Sequence, residues 1–283
     1  MVGYRAYITI KVRGGGVINT WLSSSERAPN PYARFRLIDV EEPAGLPDES
    51  RDYVSNLLRD SRFAPEFLAD MAGILGWDMV RDTILSGASP NAIPTKRGDF
   101  GEVLITALLE ESHGYKIPVR KLRYKVTRNQ LLHGTDALAI RVDTEGNVTE
   151  VCFVESKLRT ATRNADDRNL AVTGCDQLKN DFDHKLPDIL QFVAQRLHEI
   201  KDELFGPFVV YMGTRADTTD IDTFCLGLVW ERAEWEEQIL QNLEEHTNVL
   251  PRLVVHAIRI NNLGQVSDDL FARVGLIEVT DDE

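Results

Sequence analysis

The segment EVCFVESKL, residues 150–158, constrains the fold of this chain more than any other stretch. Its apolar run from Val151 to Val154 is typical of a buried strand, yet the strand ends in Glu155 and Lys157, whose charged groups are costly to remove from water. The turn TEGN, residues 144–147, joins it to DALAIRVD, residues 136–143, in a predicted hairpin. The fold must therefore accommodate a buried hairpin with charged side chains at one end.

Helical and strand patterns alternate around this hairpin. Before it, a helix is predicted at residues 99–115, with Asp99 as a candidate N-cap, followed by a strand at YKIPVRKLRYKV, residues 115–126. After it, we expect a long helix from Cys175 to Leu204, bent or interrupted at Pro187, and a strand at PFVVYMG, residues 207–213. The resulting αβββαβ order predicts an α/β fold with a mixed sheet flanked by helices.

The remaining segments predict two additions to this core. Strands at residues 224–231 and 252–260, with a helix through Trp235 to His246 between them, predict a C-terminal α/β extension. Residues 1–90 predict an N-terminal α/β accessory region, with strands at 4–12 and 33–42 and a helix at 63–85. The connector SGASPNAIPTKRG, residues 86–98, then divides residues 1–90 from a core at residues 91–283.

Composition excludes several classes of protein. Hydrophobic residues at 43% and charged residues at 27% exclude a disordered chain, and no apolar run approaches the ~20 residues that span a membrane. The N-terminus alternates polar and apolar residues and lacks a signal-peptide pattern, so we expect a cytoplasmic protein without a membrane partner. Cys152, Cys175 and Cys225 lack metal-binding spacing and are expected to be reduced core residues.

Charge is distributed unevenly along the chain. The net charge of −13 argues against nonspecific binding of nucleic acid by the whole surface. Six basic residues nevertheless lie between Ser112 and Thr135, where no acidic residue occurs. On charge alone, this basic stretch fits a binding surface for a polyanion and a solvated strand edge protected by Lys and Arg equally well.

The predicted hairpin places Asp136, at the start of one strand, beside Glu155 and Lys157, at the end of the next. Glu155 and Lys157 point to the same face, whereas Ser156 points away. The two carboxylates and the backbone carbonyl of Ser156 are ligands that suit Mg²⁺, for which Mn²⁺ is a substitute, and Lys157 can stabilise charge on a phosphate. This arrangement favours metal-assisted phosphodiester hydrolysis. The alternative interpretation is that Asp136 caps a turn and that Glu155 and Lys157 form a surface ion pair worth about 0 to 1 kcal/mol.

These segments together resemble the PD-(D/E)XK nuclease superfamily. The resemblance rests on GDFGEVL, GTDALAI, VCFVESKL and a following helix that carries Gln177 and Lys179. More closely, RGDFGE, HGTDAL, VESKLRT and GCDQLKND resemble the HamA family of nuclease subunits from the Hachiman anti-phage defence system. The resemblance is specific over roughly residues 95–183 and implies a PD-(D/E)XK restriction-endonuclease-like core.

The resemblance implies roles for individual residues. Asp136 and Glu155 match metal-binding acids, Lys157 matches a catalytic lysine, Glu102 matches a helix acid that is a further candidate ligand, and Gln177 matches a polar helix residue aimed at the site. Thr135 stands where the signature has its proline. The residues predicted to bind nucleic acid are Lys116, Arg120, Lys121, Arg123, Lys125, Arg128, Arg159 and Lys179.

The expected function is that of a Mg²⁺-dependent DNA endonuclease, the effector subunit of an anti-phage complex with a HamB-like helicase. Such a partner suits an acidic subunit with a local basic stretch, because a helicase can deliver the nucleic acid. Two alternatives remain open at this point. One is a non-catalytic regulator or scaffold that retains the nuclease fold and binds a partner enzyme. The other is a nuclease that acts on RNA, since metal-assisted hydrolysis can cleave either polymer.

Overall fold

A computed structural model describes residues 16–27, 34–87, 89–130, 134–215 and 222–274. The strand predicted at residues 4–12 lies outside the described residues. At the centre of the described part is a six-stranded sheet with the order β1-β2-β6-β5-β4-β3. The strands are β1 (Ser23–Glu26), β2 (Arg36–Glu41), β3 (Ala137–Val142), β4 (Val148–Arg159), β5 (Asp222–Glu231) and β6 (Leu253–Ile260).

The sheet is mixed. The pairs β1–β2 and β3–β4 are antiparallel, whereas β2–β6, β6–β5 and β5–β4 are parallel. Helices cover both faces, because each face carries its own apolar core. An α/β fold with a mixed sheet flanked by helices is therefore confirmed.

Eleven α-helices occur in the described residues. They are α1 (Val17–Trp21), α2 (Asp48–Asp60), α3 (Pro65–Leu75), α4 (Trp77–Thr83), α5 (Ile93–His113), α6 (Ala165–Arg168), α7 (Leu170–His184), α8 (Leu186–Glu199), α9 (Phe205–Thr214), α10 (Gln238–Glu245) and α11 (Leu263–Arg273). None of these helices is long and apolar enough to cross a membrane.

Two helical layers enclose the sheet. Helices α1, α2, α5 and α11 contribute to the core on one face, and α7 to α10 contribute to the core on the other. Cys152 and Cys225 lie in the first core and Cys175 in the second. All three are free and buried, which confirms the prediction that they are reduced core residues.

Helix α5 is longer at its N-terminus than predicted. It begins at Ile93, where Pro94 in the first turn suits a helix start, so Asp99 is not its N-cap. Asp99 instead lies inside the helix, buried, and accepts hydrogen bonds from Lys125 (2.6 Å) and from Arg62. The helix packs on the sheet through an apolar face, since Phe100, Val103, Leu104, Ala107 and Leu108 are all buried.

The strand predicted at residues 115–126 is wrong. Only Lys116 pairs with the sheet, through an isolated antiparallel bridge to Ile140, and a 3-10 helix occupies Lys121–Tyr124. Pro118 explains why the pairing stops, because proline has no N–H to donate to a strand ladder. The first strand of the expected αβββαβ order is thus reduced to a single bridge.

The strand predicted at PFVVYMG is also wrong, since these residues belong to α9. Phe208 and Tyr211 are buried and Val209 and Val210 are exposed, which is a helical burial pattern. The strand propensity of the two valines is therefore overridden by the burial of two aromatic rings three residues apart. Strand β5, predicted as part of the C-terminal extension, takes the place beside β4.

Other helices differ from prediction mainly at their ends. The pattern at residues 63–85 forms two helices, α3 and α4, because Gly76 between them adopts a positive φ of 80°. Phe67, Leu75 and Met79, which recur at helical spacing in this segment, are about half exposed. The expected interruption near Pro187 is confirmed, since α7 ends at His184 and α8 begins at Leu186.

The helix predicted through Trp235 starts later than expected. A 3-10 turn, Arg232–Glu234, precedes it, and α10 begins only at Gln238. Trp235 packs edge-on against Trp230 of β5, with ring centroids 5.9 Å apart. The side chain therefore anchors the turn to the sheet from outside the helix.

The N-terminal strands belong to the same sheet as the predicted core. β2 lies between β1 and β6, and Asp39 of β2 pairs in register with Ala257 of β6. The buried Glu42 strengthens this junction by accepting hydrogen bonds from Trp21 Nε1 (2.7 Å) and from Asn261. The division at residue 90 stays a prediction, but the sheet is continuous across it.

Candidate active site

The β3–β4 hairpin brings Asp136 and Glu155 side by side. Ala137 is paired with Val154, and the N–H of Asp136 donates to the carbonyl of Val154 at 2.9 Å. Glu155 is therefore the residue directly across from Asp136. The hairpin spacing predicts that these two carboxylates lie side by side, and the structure places them side by side.

Asp136 is held in place by Ser156. Its Oδ2 accepts hydrogen bonds from the main-chain N–H of Ser156 (2.8 Å) and from the Ser156 hydroxyl (3.0 Å). Ser156 lies on the α5 side of the sheet, where a Cβ on Gly101 would come within 3.3 Å of its Oγ. As predicted, this side chain lies on the face opposite Lys157, whose stem packs near Gly174 of α7. The Ser156 carbonyl, the predicted metal ligand, belongs to a residue that lines the same cleft as Asp136.

Lys157 forms hydrogen bonds with both Glu155 and Gln177. Its Nζ donates to Oε1 of Glu155 at 2.5 Å and to Oε1 of Gln177 at 2.9 Å. Gln177 lies on α7, and close packing of this helix on β4 depends on Gly174, because a Cβ there would lie 3.3 Å from Lys157 Cγ. Lys157 is thus held by two oxygen acceptors from two different elements.

Burial and repulsion between carboxylates together determine the electrostatics of the site. Glu155 is only 2% exposed, and burial, followed by the negative charge of Asp136, raises its pKa to about 8 despite the nearby Lys157. Burial and the charge of Asp136 also raise the pKa of Glu102, on α5, well above its usual range. The Oε2 atom of Glu155 is buried and has no hydrogen-bond partner among the described residues. The site therefore holds more negative charge than its surroundings neutralise.

Lys121 supports the turn that precedes Asp136. Its Nζ donates to the carbonyls of Gly134 (3.0 Å) and Thr135 (2.8 Å), and its charge opposes the rise in the pKa of Glu102. The sequence predicts this lysine as a nucleic-acid contact. A structural role was missed, because no local pattern links residues 121 and 135, which meet only in the folded chain.

An open cleft of about 570 Å³ contains these residues at the carboxyl end of β4. Asp136, Glu155, Lys157 and Glu102 line it, whereas Gln177 contacts the site only through Lys157. Sequence reasoning missed six polar residues of the cleft wall. They are Thr95, Arg97, Asp99, Thr160, Arg163 and Asp167.

The residues predicted to bind nucleic acid are only partly gathered at this cleft. Lys121, Lys125 and Arg159 line it, but Lys125 is bonded to Asp99 (2.6 Å) and Arg159 to Asp167 (2.9 Å). The other five lie outside the cleft wall. Lys116 pairs with Glu203, Arg120 with Glu110 and Lys179 with Asp183, while Arg123 donates to the carbonyl of Asp60 and Arg128 is exposed.

The donor set fits a hard divalent cation with few protein ligands. In the part of the chain that the structure describes, no group of three or more His, Cys, Asp or Glu side chains has the arrangement of a metal site. Mg²⁺ is commonly held by one or two carboxylates and several waters, so Asp136 and Glu155 are sufficient. The unpartnered Oε2 of Glu155 and the repulsion from Asp136 are both features that a bound cation would relieve.

Comparison with known proteins matches the region that contains the cleft. A sequence model of the HamA family matches residues 66–274. The chain is also similar to the Hachiman protein HamA of Bacillus cereus, with 28% identity over 155 residues, which cover 54% of this chain and 52% of that protein. The match thus spans about half the length of this curated relative. Because the family match extends over most of the sequence, the chain belongs to the HamA family.

Proposed function

We propose that this protein is a metal-dependent DNA nuclease that hydrolyses phosphodiester bonds. The observation that carries the proposal is the convergence of Asp136, Glu155 and Lys157 at the end of β4, in an open cleft. In this proposal, α5, β3, β4, α7 and β5 form a PD-(D/E)XK core, in which the bridge at Lys116 is what remains of its first strand.

Asp136 and Glu155 are the residues proposed to hold Mg²⁺, with the Ser156 carbonyl and Glu102 as further candidate ligands and Mn²⁺ as a substitute ion. When bound, the ion would neutralise charge on the phosphate and make a water molecule more acidic. The protein contributes the orientation of its acids. Asp136 is fixed by Ser156, and Glu155 is fixed in the buried part of β4.

Lys157 supplies positive charge where the phosphate is expected to react. A fixed ammonium in a partly buried site stabilises negative charge that develops on phosphoryl oxygens. Gln177 and Glu155 accept two of its three N–H groups, so the remaining N–H is available to a phosphate oxygen. Gln177 therefore acts on the reaction by positioning Lys157.

We further propose that the protein acts in anti-phage defence together with a HamB-like helicase. Its membership of the HamA family and the name of its relative, a Hachiman protein, support the defence role. The net charge of −13 and the internal pairing of Lys125 and Arg159 leave little free positive charge with which to capture DNA. Delivery of DNA by a partner would make up for this weakness.

The test is plasmid cleavage by the purified protein, alone and with its helicase, in the presence of Mg²⁺. We expect Glu155→Gln and Lys157→Ala to lower the rate at least 100-fold. Glu203→Gln, the same chemical change at an exposed carboxylate, should leave it within twofold. Equal cleavage by all four proteins would reject the nuclease assignment.

Two further measurements separate the alternatives. Calorimetry with Mn²⁺ should show binding that Asp136→Ala and Glu155→Gln abolish, whereas no metal binding would favour a non-catalytic scaffold. Cleavage of a single-stranded RNA, compared with cleavage of a DNA of the same sequence and length, tests which nucleic acid is the substrate. Faster cleavage of the RNA would show that the protein is an RNA nuclease.

A further inference from the structure

A second cavity, of about 350 Å³, lies at the opposite end of the sheet from the cleft. It is covered by the C-terminal end of α5, at Leu109 and His113, and its walls come from strands β2 to β6. Glu102, in the cleft, and His113, in the cavity, are eleven residues apart on α5, which corresponds to about 16 Å along a helix. The two sites therefore share a helix but no lining residue.

Two neutral histidines in the cavity wall have unused nitrogen atoms. His256 is 1% exposed, and its Nδ1 has no hydrogen-bond partner among the described residues; the same is true of the buried Nε2 of His113. The rings meet edge-to-face, with centroids 5.0 Å apart. Burial, His113 and Arg36 together lower the pKa of His256 to about 3, so its imidazole is neutral and carries one N–H.

Three arginines and one carboxylate line this cavity. The one carboxylate in the lining, Glu150, is already engaged by Arg141 (2.6 Å), Tyr115 (2.7 Å) and Thr223 (2.8 Å). Arg252 lines the cavity from an exposed position, and its guanidinium makes no hydrogen bond or ion pair within the described residues. Its backbone adopts a φ of 56°, a conformation that a non-glycine residue rarely takes.

A buried histidine without a hydrogen-bond partner needs an explanation beyond folding. Guanidinium groups and imidazole N–H groups bind phosphate oxygens well, and charge-assisted bonds of this kind are about twice as strong as neutral ones. A volume of about 350 Å³ is at the lower end of small-molecule pockets. Both the chemistry and the size suit a small anion.

We propose that this cavity binds a small phosphate-bearing anion, with Arg252 contacting the phosphate and His113 and His256 donating hydrogen bonds. The proposal goes beyond the nuclease function and does not depend on it. The recognised group is the phosphate, which either inorganic phosphate or a mononucleotide can supply.

The test is calorimetric titration of the full chain at pH 7.5, without divalent ions, with inorganic phosphate, AMP and uncharged adenosine. Arg252→Gly removes the guanidinium while suiting the positive φ. Lys201→Gly is the matched control, because Lys201 has the same φ of 56° and one positive charge but lies outside the cavity lining. We expect Arg252→Gly to weaken binding of phosphate and AMP at least tenfold and Lys201→Gly to change it less than twofold.

The outcomes are distinguishable. Equal affinity for phosphate and AMP supports a site for free phosphate, and tighter binding of AMP supports a site for a mononucleotide. Imidazole NMR signals of His113 and His256 should shift on addition of either ligand. The proposal is overturned by absence of saturable binding, by adenosine binding as tightly as AMP, by equal effects of the two variants, or by shifts confined to the other histidines.

Discussion

Within the described residues, the Asp136 side chain accepts two hydrogen bonds, both from Ser156 and both on the same oxygen, Oδ2. The Oδ1 atom is thereby left for a ligand in the cleft. One of the two bonds comes from the main chain and is independent of side-chain identity. The other comes from the Ser156 hydroxyl. Removing the Oγ atom therefore measures how much this hydroxyl contributes to the position of Asp136.

We expect Ser156→Ala to weaken Mn²⁺ binding roughly tenfold, because groups that orient a metal ligand typically contribute a factor of 10 to 100 and the main-chain bond remains. The free energy of unfolding should fall by about 0.5 to 1.5 kcal/mol. Calorimetry and urea denaturation measure the two effects. Unchanged metal affinity would show that the hydroxyl does not orient Asp136.

Gly174 should be required for the position of Lys157. A Cβ there would lie 2.6 Å from Leu226 Cδ1 and 3.3 Å from Lys157 Cγ, so Gly174→Ala must displace one of these side chains. We expect it to lower the melting temperature and the cleavage rate. Gly73→Ala, in the open part of α3, should instead raise stability by about 0.5 to 1 kcal/mol. Equal behaviour of the two variants in thermal denaturation would contradict this.

Metal affinity should depend on pH through Glu155. Because its pKa is raised to about 8 in the metal-free protein, a proton competes with the cation below that pH. Mn²⁺ affinity should therefore rise by up to about tenfold per unit between pH 6 and 8 and level off above it. Calorimetry across this range measures the slope. A flat profile, or a slope that persists in Glu155→Gln, would rule out Glu155 as the titrating ligand.

The raised pKa of Glu155 also makes folding stability depend on pH. Stability should fall as the pH rises, whereas metal affinity should increase. The folded pKa exceeds the unfolded value of 4.5, so the folded state holds more protons, and metal-free protein should lose stability as the pH rises from 4.5 through 8. Melting temperatures in EDTA, compared with those of Glu155→Gln, measure this contribution. The variant should show a smaller decrease over that window.

His256 should make the protein sensitive to acid. Its pKa falls from 6.5 to about 3 on folding, so the unfolded state binds more protons between these values, and stability is lost as the pH falls through that window. The slope from this group is at most about 1.4 kcal/mol per pH unit. His256→Asn should flatten the pH dependence of urea denaturation between pH 6.5 and 4. His184→Asn, at an exposed position, should leave it unchanged.

The buried Asp99 should be essential for stability. It neutralises Arg62 and Lys125, and all three side chains are at least nine-tenths buried. Asp99→Ala removes the counter-ion of two buried cations and should destabilise the fold by about 3 to 5 kcal/mol. Asp268→Ala, which removes a half-exposed carboxylate from Lys96 and Arg97, should change stability by about 1 kcal/mol or less. Urea denaturation of both variants provides the comparison.

The candidate site was largely predictable because its geometry is local. Asp136, Glu155 and Lys157 belong to one hairpin, whose two-residue period and short turn decide which side chains meet. Gln177 was predicted only through family resemblance, since its contact with Lys157 depends on how α7 packs on β4. Arg97, Lys121 and Arg163 reach the cleft from α5, from a 3-10 helix and from the segment after β4, so no single sequence period associates them.

Parts of the fold were not predictable because tertiary packing overrides local preference. Val209 and Val210 favour a strand, but burial of Phe208 and Tyr211 selects a helix. The phosphate-site candidates His113 and His256 lie on a helix and a strand 143 positions apart, so no local pattern associates them. The pairing of β2 with β6 could not be predicted either. Hydrophobic periodicity indicates which side of a strand is buried but not which strand lies next to it.

This pairing of β2 with β6 has a consequence for how the molecule matures. Arg259 donates a hydrogen bond to Asp39 across a separation of 220 residues, so β2 cannot pair with β6 until the intervening chain has been synthesised. Such distant contacts form slowly, and unpaired strand edges are exposed in the meantime. The hairpin with Asp136 and Glu155 is synthesised before its neighbours β5 and β6. The sheet that supports the cleft is therefore completed only after β6 has been synthesised.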